Sequence, residues 1–542
     1  MSATAMNADY PVIIVGGGPV GLALAADLGW RGVSCLVLEQ SDGSIPQPKM
    51  LTVGSRTMEF CRRWGIADEV RAAAIPRDFP RVSLYATSLH GKEVFKFTAP
   101  GPGTNSWPYG PEPRERCAQT LFDPILKRFA ISQPSVRMRH QNKVVAIEQS
   151  TEQVTVTVSD AVTGKTEKIT AQYLVGCDGA GSFVRSAVGI ESIGIEKSTR
   201  SMNMFFECDD LFSVHDKGPV LMFHPLRKTG GGLLTTIDGK RQWRLSTEDF
   251  GPDYQPSNED AARRIREAVG ADFDFKVTAI VIWTRRQVIA ERYRAGRVFL
   301  AGDAAHQLTN SGGFGMNTGI GDALDLSWKL EATIAGWAGP SLLASYDAER
   351  RPIGLRTIEE ARANMAGARG LPLSPEINDD TPEGEAARQR VRDVILARNL
   401  HRIEINPGVE LGYRYEGSPI AWPDGTPEPP TESTTYTQTA RPGSRAPHAW
   451  LAGEERSILD IFGRGFVLLN WADADAAQPL VSAAKARGLP LTVVKGSPDC
   501  SELYARRMVL VRPDGFVAWR GDSAPENAWA LIDRIRGADL VE

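Results

Sequence analysis

Near its amino terminus the chain reads Val12-Ile13-Ile14-Val15-Gly16-Gly17-Gly18-Pro19-Val20-Gly21. The apolar, β-branched start predicts a strand, and the residues from Val20 to about Trp30 have the periodicity of a helix. A second apolar run, Cys35-Leu36-Val37-Leu38, predicts the next strand. Strand, glycine turn, helix and strand together predict a βαβ unit.

The glycines in this turn have the G-x-G-x-x-G spacing of dinucleotide-binding loops. Gly16 suits the tight turn, Gly18 lets the backbone approach a pyrophosphate, and Gly21 lets the helix pack closely on the strand. Because the loop stands between a predicted strand and a predicted helix, the sequence predicts a dinucleotide site.

The residues that flank the glycines fit the same site. Pro19 and Val20 begin the helix, whose N-terminus favours the negative charge of a phosphate. Glu39 ends the second strand, where its carboxylate can accept hydrogen bonds from a ribose, and Gln40 follows it. All four residues are therefore candidate cofactor-binding residues.

Length and composition favour an enzyme that acts on a small molecule. A chain of 542 residues predicts two or three domains. Its net charge of -4 gives no electrostatic support to a nucleic-acid partner. No apolar run is long enough to span a membrane, and the start of the chain lacks the pattern of a signal peptide, so we interpret the protein as cytoplasmic.

The six cysteines lie far apart and form no C-x-x-C pair, so neither a redox dithiol nor a metal site is expected. We interpret them as reduced and mostly buried.

The pattern along the chain predicts a mixed α/β fold. Residues 1–190 alternate between helix and strand, residues 191–285 read mainly as strands of an inserted substrate-binding sheet domain, and residues 286–416 return to the first domain and add helices. Residues 417–445 are rich in Pro, Thr and Gly and predict a linker. Residues 446–542 predict a small α/β domain.

Two strands predicted later in the chain are each followed by an aspartate at the carboxyl end. Asp178 follows the run Leu174 to Gly176, and Asp303 follows Val298 to Ala301 and Gly302. A carboxylate is a strong hydrogen-bond acceptor, and Gly302 removes a side chain that would block its approach to a ligand.

The order and spacing of these three motifs resemble the class A flavoprotein aromatic hydroxylases, the family of para-hydroxybenzoate hydroxylase. The resemblance implies that the first motif holds the ADP half of FAD in a Rossmann-like domain and that Asp303 binds a ribitol hydroxyl. Gly315, Met316 and Asn317 lie at the start of a long helix predicted from Met316 to Ile334, where free N–H groups can face the reduced, anionic flavin.

The family pattern extends to three more residues beside the flavin and to one residue near the substrate. Arg116 and Gln119 resemble a family segment in which the glutamine touches the cofactor. Lys49 stands where relatives commonly have an arginine, so the charge is kept and the bidentate geometry is lost. Thr309 stands near the place where many relatives have a proline whose carbonyl faces the substrate.

From Arg441 onward the chain resembles the long relatives that end in a thioredoxin-like domain without the dithiol, among them hydroxyphenylpropionate, phenol and polyketide hydroxylases. Its single tail cysteine, Cys500, agrees with this. A homodimer is compatible with the resemblance.

The resemblance implies an FAD-dependent monooxygenase in which NADPH or NADH is the transient reductant and O2 forms a flavin C4a-hydroperoxide. The substrate would be a phenolic or similarly electron-rich aromatic molecule, held between the flavin and the inserted sheet. Candidate residues of the pocket are His224, Trp243, Trp283, Arg285 and Thr309. The sequence identifies no catalytic base.

Three alternatives stay open. A flavin halogenase would share the cofactor domain, but its Trp-x-Trp-x-Ile-Pro segment is absent from the sequence. A flavin-dependent reductase would oxidise nicotinamide without incorporating oxygen. A non-catalytic flavin-binding protein would bind FAD without reducing it.

Overall fold

A computed structural model describes residues 8–99, 107–195, 200–227, 232–248, 250–251, 253–367, 369–451 and 455–538. Residues 1–7 lie outside these ranges, and the expectation that the start of the chain lacks a signal peptide rests partly on them. Within them, no helix combines the length and the apolar character needed to cross a bilayer.

Strands and helices confirm the predicted mixed α/β class. The strands, in chain order, are β1 (Tyr10–Val15), β2 (Cys35–Leu38), β3 (Val82–Ala86), β4 (Glu93–Thr98), β5 (Val136–Arg139), β6 (Asn142–Gln149), β7 (Val154–Asp160), β8 (Thr166–Gly176), β9 (Ser192–Ile195), β10 (Arg200–Glu207), β11 (Met222–Pro225), β12 (Gly232–Thr236), β13 (Gln242–Thr247), β14 (Lys276–Thr284), β15 (Gln287–Ala290), β16 (Arg294–Ala295), β17 (Val298–Leu300), β18 (His306–Gln307), β19 (Phe466–Asn470), β20 (Leu491–Lys495), β21 (Met508–Val511) and β22 (Val517–Gly521). The helices are α1 (Pro19–Trp30), α2 (Ser55–Trp64), α3 (Ala67–Ala73), α4 (Gln119–Ser132), α5 (Phe183–Ala187), α6 (Asn258–Val269), α7 (Phe314–Ile334), α8 (Ser345–Gly367), α9 (Pro382–Ala397), α10 (Pro407–Glu410), α11 (Gln478–Ala486), α12 (Ser501–Tyr504) and α13 (Ala528–Ile535).

The first sheet has the Rossmann-like arrangement that the sequence predicts. Its strands follow the order β16-β17-β8-β1-β2-β5, with β6 and β7 extending from β8. The strands β17, β8, β1, β2 and β5 run parallel, so their carboxyl ends meet at one edge of the sheet. This edge brings the glycine turn after β1 next to the loops after β8 and β17.

The second sheet has seven strands in the order β14-β10-β13-β12-β11-β3-β4. Two of these, β3 and β4, precede the segment 191–285 in the chain, and β3 joins through a parallel pairing with β11. One face of the sheet packs on α6 through a buried apolar cluster that includes Trp243 and Phe223. The other face turns toward the first domain, where Phe205 packs with Leu51 and Ala118.

The carboxyl-terminal sheet has the order β20-β19-β21-β22 with mixed strand directions, as expected of a thioredoxin-like domain. Cys500 is buried and unpaired in this domain. The domain packs on α7, because Trp328 shares an apolar cluster with Phe466.

A buried ion cluster joins the same domain to α7 and α8. Arg512 donates to Glu349 of α8, to Asp325 of α7 and to Asp514 in its own turn, at 2.5 to 3.0 Å. Lys329 donates to Asp325 at 2.7 Å and to Glu349 at 2.6 Å. All five side chains are buried, so three carboxylates share two cations away from water.

Candidate functional site

The glycine turn lies between β1 and α1 and borders open space. Gly16 has a φ of 107°, and a Cβ there would lie 2.4 Å from the carbonyl oxygen of Cys177, so only glycine fits. At Gly21 a Cβ would lie 2.1 Å from the Gly16 oxygen. At Gly18, by contrast, a Cβ would meet nothing within 4 Å. The turn therefore leaves room for a ligand beside Gly18.

Glu39 is tied to this turn. Its carboxylate accepts the Gly17 N–H at 2.7 Å and the Ser41 N–H at 2.8 Å. A carboxylate has about four acceptor positions, so two remain for ligand hydroxyls. Gln40 follows with an exposed side chain.

Asp303 lies in a recess of the same edge. The residue is exposed to solvent, yet surrounding protein atoms raise its pKa through loss of solvation, while the charges of His306 and Lys49 oppose the rise. Gly302 precedes it with a φ of 62°, and a Cβ there would lie 2.8 Å from Val20 on α1. The Gly302-Asp303 motif therefore packs directly on the glycine turn, and the carboxylate of Asp303 stays open to a ligand.

The carboxylate of Asp322, on α7, holds the loop that carries Asp303. It accepts the Gly302 N–H at 3.1 Å, the His306 ring Nε2 at 2.7 Å and the Arg350 Nε at 2.8 Å. These partners keep the pKa of Asp322 low although burial opposes this. Asp322 is a buried anchor, whereas Asp303 is free for a ligand.

The first turn of α7 lies close by. N–H groups in a first helical turn have no partners within the helix, so those near Gly315 and Met316 can receive an electron-rich ligand. The side chain of Asn317 is already engaged, because it accepts from the Gly54 N–H at 2.8 Å and from the Thr57 hydroxyl at 2.7 Å. Asn317 therefore positions the start of α2 against α7.

Lys49, Gln119 and Asp123 form a chain of contacts at the start of α4. The Gln119 side chain accepts the Lys49 N–H at 3.0 Å and donates to Asp123 at 2.9 Å. Burial raises the pKa of both Asp123 and Asp303, and the positive charge of the exposed Lys49 side chain opposes that rise. The three candidates Lys49, Gln119 and Asp303 thus belong to one recess.

Burial raises the pKa of Asp123 to about 7. Because the folded pKa lies above the usual value of 3.8, this group stabilises the fold fully below about pH 4. That stability is lost as the pH rises through about 7. We expect Asp123→Asn to flatten the fall of the thermal midpoint between about pH 4 and 7, whereas Asp475→Asn, at an exposed position, leaves it unchanged. Identical pH profiles for wild type and Asp123→Asn would contradict the assignment.

Asp178 has a local structural role. Its two oxygens accept from the Ser182 hydroxyl at 2.5 Å and from the Val184 N–H at 3.0 Å, in the first turn of α5, whose N-cap is Ser182. The residue is half-buried at the edge of the first sheet where the carboxyl ends of the parallel strands meet, which we call the cofactor edge. Its hydrogen bonds hold the loop after β8.

Arg116 reaches across to the second sheet. Its two Nη groups donate to the hydroxyls of Thr52 and Thr235, each at 3.0 Å. Burial lowers its pKa to about 10. Arg116 therefore lines the boundary between the cofactor edge and the second sheet.

The candidate pocket residues are spread over this boundary. His224 stacks on Tyr85 with ring centroids 4.2 Å apart, and burial lowers its pKa to about 4, so it is neutral at neutral pH. Arg285 lies over the Trp283 ring, 5.5 Å from its centroid, and forms an ion pair with Glu248. These contacts occupy Arg285, while Trp283 is half-buried on the same face as Phe205.

Two other candidates lie away from the boundary. Trp243 is buried in the cluster with α6 and packs edge-on against Phe212, on the opposite face of the sheet. Thr309 is fully buried, and its hydroxyl donates to the carbonyl of Ala361 on α8 at 3.3 Å.

Sequence reasoning missed three residues. Asp322 and Asp123 show nothing in sequence but a carboxylate within a helix, and only the fold reveals their partners. Arg244 on β13 is the third, and it lies on the face of the sheet that turns toward the cofactor edge. The alternation of Trp243, Arg244 and Leu245 was the one available signal.

Known proteins resemble the chain over almost its whole length. Residues 9–361 match the family described as FAD binding domain, and residues 439–538 match the aromatic-ring hydroxylase C-terminal family. The FAD-dependent monooxygenase apdD of Emericella nidulans is 32% identical over 568 residues, covering 97% of this chain and 90% of that protein.

Solved structures agree with the sequence matches. RebC soaked with chromopyrrolic acid and containing bound 7-carboxy-K252c superposes with a TM-score of 0.91 at 40% identity, covering 98% of this chain and 99% of that one. The flavin-dependent monooxygenase PieE in complex with FAD and substrate gives a TM-score of 0.89 at 31% identity, with coverage of 98% and 99%. This chain belongs to the family of FAD-dependent aromatic-ring hydroxylases.

Proposed function

We propose that this FAD-dependent monooxygenase hydroxylates an aromatic small molecule, phenolic or similarly electron-rich, and consumes NADPH or NADH together with dioxygen. The observation that carries the proposal is the family match over both domains, joined to the meeting of three motifs at one edge of the first sheet. The names of the relatives favour this activity over a reductase that incorporates no oxygen.

The residues at the edge fit FAD. The open space beside Gly18 supports placement of the pyrophosphate there, with Pro19 and Val20 at the N-terminus of α1. Glu39 would accept hydrogen bonds from the adenosine ribose. The exposed carboxylate of Asp303 would accept one from a ribitol hydroxyl. When bound, FAD supplies hydride acceptance from nicotinamide and transfer of one oxygen atom from dioxygen.

The dipole of α7 and nearby side chains would supply positive charge around the flavin ring. The first turn of α7, at Gly315 and Met316, places N–H groups where negative charge on a reduced ring is stabilised. Lys49 adds an exposed positive charge, and Gln119 orients the backbone of Lys49 through the 3.0 Å hydrogen bond.

The substrate would lie between this edge and the second sheet. Phe205, Leu51 and Ala118 are buried against one another at that boundary and make it apolar, which suits an aromatic ring. We assign Trp283 and His224 to the outer wall. A neutral His224 can accept a proton from a phenol only weakly, because its pKa is about 4.

Oxygen incorporation decides between the proposed function and its rival. In a screen of phenolic compounds, we expect a true substrate to accelerate nicotinamide oxidation and, under labelled dioxygen, to gain one labelled oxygen atom on the ring. Mass spectrometry of the product measures this, and hydrogen peroxide accounts for nicotinamide oxidised without product. A good turnover substrate that gains no label would replace the hydroxylase with the reductase. FAD that no nicotinamide reduces with any ligand would favour the non-catalytic alternative.

A further inference from the structure

A cavity lies where the carboxyl-terminal domain meets α2 and the end of α1. Its volume is about 390 Å³, within the range of about 300 to 1,000 Å³ that small-molecule sites have. Trp30 lines it and is the last residue of α1, whose first residue, Pro19, follows the glycine turn. Because a helix of 12 residues is about 18 Å long, this cavity is separate from the cofactor edge.

Arg63, on α2, brings a positive charge into the lining of this cavity. Its Nη1 is buried without a hydrogen-bond partner, and among the described residues no carboxylate oxygen lies within 4.0 Å of the guanidinium. Burial and the charges of Arg31 and Arg56 lower its pKa to about 10, although Asp27 and Asp514 oppose this, so Arg63 is protonated at neutral pH. A charge held away from water without a partner is costly for the fold.

A second guanidinium approaches the same point. Arg56 also lines the cavity, and its Nε is likewise buried without a hydrogen-bond partner. A Cβ at Gly515, in the turn between β21 and β22, would lie 3.2 Å from Arg56 Nη2 and 3.9 Å from Arg63 Nη2. Arg56 is paired with Glu59 at 2.7 Å. The two adjacent guanidiniums therefore keep one uncompensated positive charge, on Arg63.

The carboxylates that line the cavity or act on the charge of Arg63 already accept hydrogen bonds from other groups. The donors are Arg31, Trp64 and Ser327 for Asp27, Arg512 and the Phe516 N–H for Asp514, Arg56 and Arg445 for Glu59, and Arg62 and the Ser457 N–H for Asp460. An anion from outside the chain is the partner that this arrangement lacks.

Two ordinary roles of an arginine leave the buried Nη1 of Arg63 unexplained. A cation near the end of a helix can bond the last carbonyls, but those of Cys61 and Arg62 already accept from backbone N–H groups. The guanidinium carbon also lies 5.6 Å from the centroid of the Phe60 ring, a cation–π contact that satisfies no N–H donor. The donors of Arg63 stay available to a ligand.

Apolar side chains define the rest of the ligand. Phe60 and Phe462 are buried in the lining, and Trp30, Pro111 and Leu459 are half-buried there. Aromatic walls of this kind pack against a flat apolar body. A single uncompensated cation matches a monoanion such as a carboxylate, whereas a phosphate monoester carries about two negative charges at neutral pH.

We propose that this cavity is a second ligand site, in which Arg63 binds the carboxylate of an aromatic acid between the two domains, away from the cleft assigned to FAD and to the hydroxylated substrate. Such a ligand would stabilise the contact of the carboxyl-terminal domain with α1 and α2, because it binds only where the two domains meet.

A photoreactive acid tests the site in the FAD-loaded enzyme. The probe is 4-benzoylbenzoate, and 4-benzoylbenzamide is its uncharged match. After irradiation, trypsin releases the peptides 57–62 and 457–464, which contain Phe60 and Phe462 of the lining. Mass spectrometry measures their labelled fraction against probe concentration, which gives Kd. We expect the acid to label at least one of these peptides with a Kd tenfold or more below that of the amide, since a charged hydrogen bond contributes about that factor.

Variants then assign the preference to Arg63. Arg63→Gln should label equally with acid and amide and should keep the FAD content and thermal midpoint of the wild type, because no fold contact of its N–H donors is lost. Arg390→Gln, at an exposed position on α9, is the matched control and should keep the preference. Arg63→Lys keeps the charge without the planar pair of donors, so it should retain only part of the preference.

The proposal is overturned if the acid labels neither peptide, if acid and amide share one Kd in the wild type, or if the wild-type preference survives in Arg63→Gln. If Arg63→Gln does not fold, Arg63→Lys decides the matter, and an undiminished preference in that variant overturns the proposal.

Discussion

The Arg512→Ala variant should lose about 3 to 5 kcal/mol of the free energy that holds the carboxyl-terminal domain on α7 and α8, the range measured when one partner of a buried ion pair is removed. Without Arg512, the carboxylates of Asp325, Glu349 and Asp514 keep a single buried cation, Lys329. We expect a separate, earlier thermal transition and faster proteolytic cleavage between the two domains.

Arg507 offers a control for this loss. It is exposed on the same domain, next to β21, and Arg507→Ala should change neither the unfolding profile nor the proteolysis. Unaltered unfolding of Arg512→Ala would mean that apolar contacts such as Trp328 with Phe466 hold the domain without help from the charges.

The Asp303→Ala variant should bind FAD about 10- to 150-fold more weakly, because one charge-assisted hydrogen bond contributes about 1.5 to 3 kcal/mol. Reconstitution of the apoprotein with FAD, followed by flavin fluorescence, measures the change. Asp303→Asn keeps an acceptor and should lose less, and Asp475→Ala is the exposed control. An unchanged FAD affinity in Asp303→Ala would remove this carboxylate from the cofactor site.

The local patterns in the sequence predicted the elements well. The expected strand at residues 12–15, the helix from Val20 to about Trp30 and the strand at residues 35–38 correspond to β1, α1 and β2. The long helix predicted from Met316 begins two residues earlier, at Phe314. Short-range periodicity and turn residues determine such elements, so a single sequence suffices.

Contacts between distant segments could not be predicted in this way. The parallel pairing of β3 with β11 joins Tyr85 to His224 across the chain, and no local pattern encodes it. For the same reason the raised pKa of Asp123 and the place of Arg244 on the inner face of the second sheet became visible only in the fold. Thr309 shows the limit of a motif, because its hydroxyl is bonded to α8 whatever role its carbonyl has.

The interleaving of the two sheets has a consequence for synthesis of the protein. The first sheet needs β17, at residues 298–300, beside β8, and the pair of β3 and β4 must wait for β11 before it can join the rest of the second sheet. When the ribosome has released only residues 1–190, both sheets therefore have unpaired strand edges. Such edges are prone to aggregation, so we expect the nascent chain to depend on chaperones until about residue 300 has emerged. A fragment that ends at residue 190 should accumulate as insoluble material.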